Sequence, residues 1–184
     1  METFYDLIRR VVTDFGAVGL DYMFTGALAA SFYGVPRTTT DIDVVVDFSE
    51  KISRSKLVLA LKQAGLLVDE KRIDAALRSG YRIATFEDSK TPYSVDVIFS
   101  SGKLEKRAGN ILGLPTFYQT PEELILAKLR MIKATVPRER ALKDRDDAKA
   151  ILRFTRVDTK ALKERARKNS TLSILEKIIA DTCS

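Results

Sequence analysis

The stretch that decides the fold runs from Asp41 to Phe48 and reads DIDVVVDF. Its run of β-branched residues predicts a strand, and successive side chains of a strand point to opposite faces of the sheet. Asp41 and Asp43 therefore share one face, while Ile42 and Val44 share the other. Two carboxylates so close repel each other, and a bound cation would relieve that repulsion. The alternative is a solvent-facing strand end.

A third carboxylate interrupts a later apolar run. Asp96 lies in YSVDVIF (93–99), which follows YRIATFED (81–88) after the polar, proline-containing segment DSKTP (88–92). We predict two strands joined as a hairpin. If Asp96 reaches the face of Asp41 and Asp43, three carboxylates form a site suited to Mg²⁺. Two such ions about 4 Å apart would clamp a triphosphate and activate a hydroxyl, with Asp96 as ligand or proton acceptor.

The residues before this strand offer donors for phosphate groups. In TGALAAS (25–31), Gly26 is predicted to stand between a short strand, DYMFT (21–25), and a helix, where backbone N–H groups attract anions. Arg37 and the threonines at 38–40 add further donors just before Asp41. A plain turn and a tightly packed helix are the alternatives when these features are taken singly. A glycine-rich P-loop ending in GK[ST] does not occur in the sequence.

The predicted elements change character along the chain. In the first part, a helix over residues 3–15 and the strands above are joined by a helix that begins at Ser53 or Ser55 and ends at Gly65. From TPEELILAKLRMIKA (120–134), which opens with a Thr cap and Pro121 at the first helical position, everything reads as helix. We therefore predict an α/β (α+β) core over residues 1–118 and a helical C-terminal region over 119–184.

Composition excludes several kinds of site. The chain has 184 residues, no histidine and a single cysteine, Cys183. An intramolecular disulfide, a Ser-His-Asp triad and a His-ligated zinc are therefore excluded. No apolar run reaches the ~18 residues of a membrane span, and the N-terminus lacks the pattern of a signal peptide. We expect a cytoplasmic protein with no membrane partner.

Positive charge is concentrated in the C-terminal part. Residues 126–168 carry fifteen Lys and Arg against six Asp and Glu, a net charge of +9 in a chain whose total is +6. The segment KALKERARKNS (160–170) predicts a basic helix without aromatic residues. One interpretation is contact with an RNA backbone, without base stacking. The other is a helix face that is simply solvated.

Taken together, these motifs resemble those of a known family. Gly26-Ala27, Gly34, Arg37, Thr39 and Asp41-Ile42-Asp43 are similar to the "GG…G..R.T.DiD" signature of minimal nucleotidyltransferases of the DNA polymerase β superfamily, close to its AbiEii-like toxin branch. The resemblance implies a mixed sheet flanked by helices, with a helical C-terminal half, so that residues 1–118 would be the catalytic core. It implies that nucleotide phosphates bind at Thr25, Gly26, Ala27, Arg37 and Thr39, and that Mg²⁺ binds at Asp41, Asp43 and Asp96. Ala27 stands where the family usually has a second Gly or a Ser.

Two motifs in the helical half extend the resemblance. The branch has Glu-x4-Lys, matched by Glu123 to Lys128, and Asp-x2-Asp, matched by Asp144 to Asp147. Helical geometry places Lys128 within an apolar stripe and Asp144 on the inner side of the next helix. A buried lone lysine would cost several kcal/mol, so an anion is expected to meet it. The resemblance implies that Lys128 reaches the nucleotide phosphates and that Asp144 and Asp147 orient Lys128 or the base. The alternative is a structural ion pair joining two helices.

These features predict a nucleotidyltransferase that uses two Mg²⁺ ions and an NTP. It would transfer NMP to an acceptor hydroxyl, on the 3′ end of an RNA such as tRNA or on a protein, and the AbiEii-like resemblance implies a toxin with an antitoxin protein as partner. One alternative is a non-catalytic nucleotide- or RNA-binding protein of the same fold, which Ala27 favours. Another is a toxin–antitoxin partner whose activity appears only when its cognate is absent.

Overall fold

A computed structural model describes residues 2–49, 51–136 and 141–182, so that Cys183 lies outside the described residues. The chain divides into two compact units. The N-terminal unit consists of Met1–Leu28 and Thr38–Gln119, and the C-terminal unit of Ala29–Arg37 and Thr120–Ser184. These units differ from the predicted parts, 1–118 and 119–184, in residue 119 and in residues 29–37, which belong with the C-terminal unit.

The N-terminal unit contains a mixed sheet and its helices. The helices are α1 (Phe4–Ala17), α3 (Lys51–Gln63) and α4 (Glu70–Arg78), and α2 (Gly26–Phe32) begins in this unit. The strands are β1 (Tyr22–Phe24), β2 (Asp41–Asp47), β3 (Ile83–Glu87), β4 (Ser94–Ser100), β5 (Lys106–Ile111) and β6 (Leu114–Gln119). Within the described ranges these strands form one sheet in the order β3-β4-β2-β1-β6-β5. The pairs β2–β4 and β1–β6 are parallel and the other three are antiparallel, which confirms the predicted fold class.

One face of the sheet carries the core of this unit. Ile42, Val44 and Val46 of β2 are fully buried, and the neighbouring strand β4 buries Val95 and Val97 in the same alternation. Helix α1 packs against α3 and β6, and α4 packs against β3. The central strand is therefore fixed by its apolar side, and this fixes the direction of the carboxylates on its other side.

The C-terminal unit is helical in its described part. Its main elements are α5 (Pro121–Ala134), α6 (Leu142–Phe154), α7 (Thr159–Lys168) and α8 (Leu172–Thr182). Helix α5 contacts α6, α7 and α8, and α8 also contacts α6 and α7. In the ranges that the structure describes, no helix has both the length and the apolar character required to cross a membrane.

Most predicted elements are present, and a few were missed or displaced. The first helix, the strands at 22–24 and 41–47, the 83–100 hairpin and the helices from residue 121 onward are confirmed. Helix α3 begins at Lys51 rather than at Ser53 or Ser55. Thr120 is the N-cap of α5, yet its hydroxyl makes no cap hydrogen bond. Helix α4 and strands β5 and β6 were not predicted; β5 reads KRAGNI, whose composition does not favour a strand, and it forms through pairing with β6.

Candidate active site

The predicted site residues fall into two groups, one in each unit. The N-terminal unit holds the three aspartates and most of the predicted phosphate-binding residues, namely Asp41, Asp43, Asp96, Thr25, Gly26, Ala27 and Thr39. The C-terminal unit holds the charged residues Arg37, Lys128, Asp144 and Asp147.

The strand register pairs two of the aspartates directly. Strands β2 and β4 run parallel, and Asp43 and Asp96 are opposite one another in the ladder. Neighbouring strands lie about 4.8 Å apart, so these side chains leave the same face of the sheet side by side. Asp41 lies two residues before Asp43 on that face, opposite Ser94. All three aspartates are partly buried, which argues against a merely solvent-facing strand end.

Hydroxyl groups hold two of these carboxylates. The Thr85 hydroxyl on β3 donates to Asp96 Oδ1 over 2.7 Å, and the register places Thr85 opposite Asp96. The Thr40 hydroxyl donates to Asp41 Oδ1. The Thr39 hydroxyl donates to the Asp41 carbonyl oxygen over 3.2 Å. Asp96 is thus oriented by a residue of the neighbouring strand β3, and Asp41 by the residue that precedes it in the chain.

The predicted glycine loop lies against Asp43. Gly26 has φ +56°, and a Cβ built on it would lie 2.0 Å from Asp43 Oδ2. The preceding Thr25 donates its backbone N–H to the Asp43 carbonyl oxygen over 3.0 Å, and its hydroxyl donates to Gln119 Oε1. The next residue, Ala27, is buried. Only glycine fits at position 26, because any side chain there would both strain the backbone and displace the carboxylate.

The face that carries the aspartates also has a small apolar cluster. Met23 of β1 and Val45 of β2 pack with Leu104, and Ile98 of β4 packs against them. Met23 and Val45 are register partners, and Val45 is two residues beyond Asp43 on the same face. The carboxylates are therefore bordered by apolar side chains on one side, which reduces their access to water.

The chemical type of the three candidate ligands suits a hard divalent cation. The three side chains are carboxylates, and the sequence has no histidine that would favour zinc. As the side chains stand, however, no group of three or more Asp, Glu or Cys residues in the described ranges is close enough together to hold a metal ion. The backbone places Asp43 and Asp96 as neighbouring ligands, and Asp41 lies two residues before Asp43 on the same face of β2.

The C-terminal unit contains a buried cluster of charged side chains. Lys128 Nζ donates to Asp147 Oδ2 over 2.6 Å and to Asp144 Oδ1 over 3.3 Å. Arg37 Nη1 donates to the same Asp147 oxygen over 2.7 Å. The Lys128 and Asp147 side chains are each 7% exposed, against 28% for Asp144. Asp144, predicted on the inner side of α6, contacts Lys128 from the first, partly exposed turn of that helix, and Asp147 is the more deeply buried of the two.

This cluster satisfies its own charges. Two cations face two carboxylates, so the anion that was expected to meet Lys128 is supplied by the protein. Arg37 is the last residue of the segment 29–37. A second hydrogen bond also holds this segment to α6: the hydroxyl of Thr155, the C-cap of α6, donates to the Tyr33 carbonyl oxygen over 3.2 Å. The alternative of a structural ion pair therefore has direct geometric support, and a role in nucleotide binding stays a prediction.

Two contacts of the site could not be inferred from the sequence. Thr85 stands in an alternating strand, and its neighbours Ala84 and Phe86 show only that it faces away from the core. Its bond to Asp96 depends on the register between β3 and β4. Gln119 lies at the end of β6, an element that was not predicted, and its contact with Thr25 joins residues 94 positions apart in the chain. Composition carries no signal for either contact.

Comparison with solved structures gives three informative matches. The solution structure of the antibiotic-resistance factor ANT(2″)-Ia matches with a TM-score of 0.67 and 16% identity over 94% of this chain and 95% of that chain. The crystal structure of ANT(2″)-Ia in complex with adenylyl-2″-tobramycin matches with a TM-score of 0.60 and 15% identity over 82% and 88%. An antigenic nucleotidyltransferase-like protein from Paracoccidioides brasiliensis matches with a TM-score of 0.52 and 15% identity over 92% of both chains.

These matches show that the chain has the fold of nucleotidyltransferases. No family model and no curated protein matches the sequence. The fold is thus shared at a sequence identity that is too low to carry over an activity, and the function must be argued from the site.

Proposed function

We propose that the protein is an Mg²⁺-dependent nucleotidyltransferase, which transfers NMP from an NTP to an acceptor hydroxyl and releases pyrophosphate. The observation that carries the proposal is the pairing of Asp43 with Asp96 in register on one face of the sheet, with Asp41 beside them and Gly26 against Asp43. The shared fold with nucleotidyltransferases supports it.

The residues of the N-terminal unit would have different roles in NMP transfer. Asp41, Asp43 and Asp96 would hold Mg²⁺, which supplies charge neutralisation of the triphosphate and activation of the attacking hydroxyl. Asp96, oriented by Thr85, would accept the hydroxyl proton. The acceptor oxygen forms a bond to the α-phosphorus, and the bond from that phosphorus to the bridging oxygen breaks. Gly26 lets the nucleotide phosphates approach the backbone beside Asp43.

The acceptor is proposed from charge. The concentration of Lys and Arg in residues 126–168 favours a polyanion, so we propose an RNA, such as the 3′ end of a tRNA, as the first acceptor. A protein hydroxyl is the second. A hydroxyl of a small molecule is the third, because one of the matched structures contains adenylyl-2″-tobramycin.

We further propose that this nucleotidyltransferase is the toxin of a toxin–antitoxin pair. This proposal rests on the AbiEii-like spacing of Glu123 to Lys128 and Asp144 to Asp147, which includes both acidic partners of the buried lysine. If it is right, expression of the protein alone slows cell growth, the Asp43→Asn variant does not, and an antitoxin protein relieves the effect. Growth that is unaffected by the wild-type protein would contradict the toxin role and leave the transferase proposal in place.

The test of the acceptor is a labelling experiment. Purified protein is incubated with each α-³²P-labelled NTP, Mg²⁺ and, in separate reactions, total RNA, total protein or tobramycin. We expect label in RNA with the wild-type chain and none with Asp43→Asn. The matched control is Asp47→Asn, which changes another partly buried aspartate of β2. This aspartate lies outside the site, and its carboxylate accepts from the Ser49 N–H.

The second candidate function is nucleotide or RNA binding without catalysis. Ala27, buried where the family usually has Gly or Ser, is the observation that favours it. It predicts that NTP binds while no label reaches any acceptor. Label in any acceptor that depends on Asp43 would exclude it.

A further inference from the structure

A cavity of about 470 Å³ opens in the C-terminal unit, between the end of α5, the start of α6 and the start of α8. Its volume lies within the range of about 300–1,000 Å³ typical of small-molecule sites. We call it the α5–α8 pocket. Its lining residues are Ile132, Lys133, Thr135, Val136, Ala141, Leu142, Arg145, Ser170, Ser173, Ile174 and Lys177.

The charge of the α5–α8 pocket has one sign. Lys133, Arg145 and Lys177 line it, and among the described residues none of the lining side chains is acidic. In the described part of the chain, the Lys177 ammonium has no hydrogen-bond or ion-pair partner. The Lys133 ammonium makes only a long contact of 3.5 Å, to the Asn169 carbonyl oxygen. Three cations with no acidic side chain among the described lining residues favour an anion.

Backbone and hydroxyl groups add to this preference. Ser173 lies in the first turn of α8, and Ser170, with φ +54°, lies two residues before the first residue of that helix. The N-cap of α6 is Ala141, which has no side chain able to accept from the first-turn N–H groups. The positive ends of two helix dipoles therefore meet the pocket beside the cations.

Among the described residues that line the pocket, Arg145 has a firm protein partner. Its Nη2 donates to Asp181 Oδ2 over 3.1 Å, and Lys149 shares that carboxylate over 3.3 Å. Asp181 does not line the pocket. Because a guanidinium has five N–H donors, Arg145 can keep this bond and donate to a ligand as well.

The remaining walls are apolar. Ile132, Ile174, Leu142 and Val136 contribute to the lining, and the last two are 57% and 84% exposed. A bare inorganic anion would leave these side chains in water, whereas an anion attached to an apolar body would cover them.

We propose that the α5–α8 pocket binds a small organic anion, in which a phosphate, carboxylate or sulfonate group is carried on an apolar or aromatic body. The anionic group lies among Lys133, Arg145 and Lys177, and the body lies against Ile132 and Ile174. This binding site is independent of the aspartate site and of the proposed transfer reaction.

The test uses two fluorescent probes of nearly the same shape. 8-Anilinonaphthalene-1-sulfonate carries the anionic group, and N-phenyl-1-naphthylamine lacks it. We expect the sulfonate to bind the folded wild-type chain, and the double variant Lys133→Ala/Lys177→Ala to weaken it by about tenfold or more. The same variant leaves binding of the neutral probe and the midpoint of thermal unfolding unchanged.

The matched control is Lys143→Ala/Lys160→Ala, which removes the same charge from two exposed lysines that do not line the pocket. It is expected to leave sulfonate binding unchanged. Failure of the sulfonate to bind, equal weakening by both double variants, or equal weakening of both probes would overturn the proposal. The Asp43→Asn variant is expected to bind the sulfonate like the wild-type chain. Failure of the proposed transfer reaction would therefore leave the pocket proposal intact, and failure of the pocket proposal would leave the transfer reaction intact.

Discussion

Gly26 is the residue on which the position of Asp43 depends most directly. Its φ of +56° lies in the left-handed region, and a Cβ would overlap the Asp43 carboxylate at 2.0 Å. We predict that Gly26→Ala destabilises the fold by about 2 kcal/mol or more, since backbone strain and steric overlap add together. We also predict that it abolishes NMP transfer, because the carboxylate must move. Urea unfolding and the labelling assay measure the two effects.

The control for Gly26 is another glycine of the same unit. Gly16 lies in α1 with nothing within 4 Å of a built Cβ, and its φ is not positive. Gly16→Ala is expected to leave transfer unchanged and to stabilise the fold by about 0.5–1 kcal/mol. A Gly26→Ala chain that is as stable and active as the Gly16→Ala chain would contradict the placement of the loop against Asp43.

Thr85 is a second single residue on which the site depends, because it positions Asp96. Thr85→Val removes the hydroxyl that donates to Asp96 Oδ1 over 2.7 Å and keeps the shape of the side chain. We predict that kcat falls about tenfold and that the Mg²⁺ concentration for half-maximal rate rises, since a bond to a charged group contributes about 1.5–3 kcal/mol. Thr85→Ser keeps the donor and should restore both values. A merely structural role would change the thermal midpoint and leave the Mg²⁺ dependence unaltered.

At the scale of elements, the buried charge cluster holds α5, α6 and the segment 29–37 together. Asp147→Ala leaves Lys128 and Arg37 without their shared carboxylate. We predict a loss of about 3–5 kcal/mol in the free energy of unfolding, because the buried Lys128 then keeps only its longer contact to Asp144 and Arg37 loses the same partner. Asp146→Ala, at an exposed neighbouring position of α6, should change it by less than about 0.5 kcal/mol. Equal effects of the two changes would show that the cluster is not structural.

A second variant separates stability from nucleotide binding in this cluster. Lys128→Met/Asp147→Leu replaces the buried Lys128–Asp147 pair by apolar groups, so that only the partly exposed Arg37 loses its carboxylate partner. We expect this variant to lose less stability than Asp147→Ala and to stay folded. If Lys128 also contacts the nucleotide, this folded variant has a raised KM for NTP. An unchanged KM would leave the cluster with its structural role alone.

The buried phenol of Tyr118, on β6, makes the sheet sensitive to alkali. Burial, with a smaller contribution from nearby Tyr22, raises the pKa of Tyr118 to about 12, above its ordinary value of about 10. Between these two pKa values the phenol is neutral in the folded chain and ionised in the unfolded chain. Its contribution to the free energy of unfolding is therefore complete below about pH 10 and is lost as the pH rises towards 12. Tyr118→Phe should flatten this decline in urea unfolding. An equally steep decline would contradict the burial of the phenol.

The elements differ in how far local sequence specifies them. Strand β2 and helix α5 were predicted because each has a regular apolar period and, for α5, a proline at its start. Strand β5 was missed, since KRAGNI has no such period and its hydrogen bonds come from β6. Helix α4 was missed although Asp69 caps it, because the short segment EKRIDAALR is mostly polar. Elements that depend on a partner for their stability are the ones that sequence patterns do not reveal.

For the whole molecule, the candidate site was predictable to the extent that strand periodicity fixes side-chain direction. The shared face of Asp41 and Asp43 follows from a period of two residues. The pairing of Asp43 with Asp96 does not, since it depends on a register between strands that are far apart in the chain. The relative burial of Asp144 and Asp147 does not follow from the sequence either, since helical position alone does not show how deeply each turn of α6 is packed.

The central claim is that Asp41, Asp43 and Asp96 form the catalytic site of a nucleotidyltransferase. The most direct measurement is the release of pyrophosphate from NTP in the presence of Mg²⁺ and RNA, for the wild-type chain, Asp43→Asn and the control Asp47→Asn. We predict release by the wild-type and Asp47→Asn chains, and a loss of at least about a hundredfold with Asp43→Asn or when Mg²⁺ is removed by chelation. Release that persists at the wild-type rate in Asp43→Asn would contradict the claim.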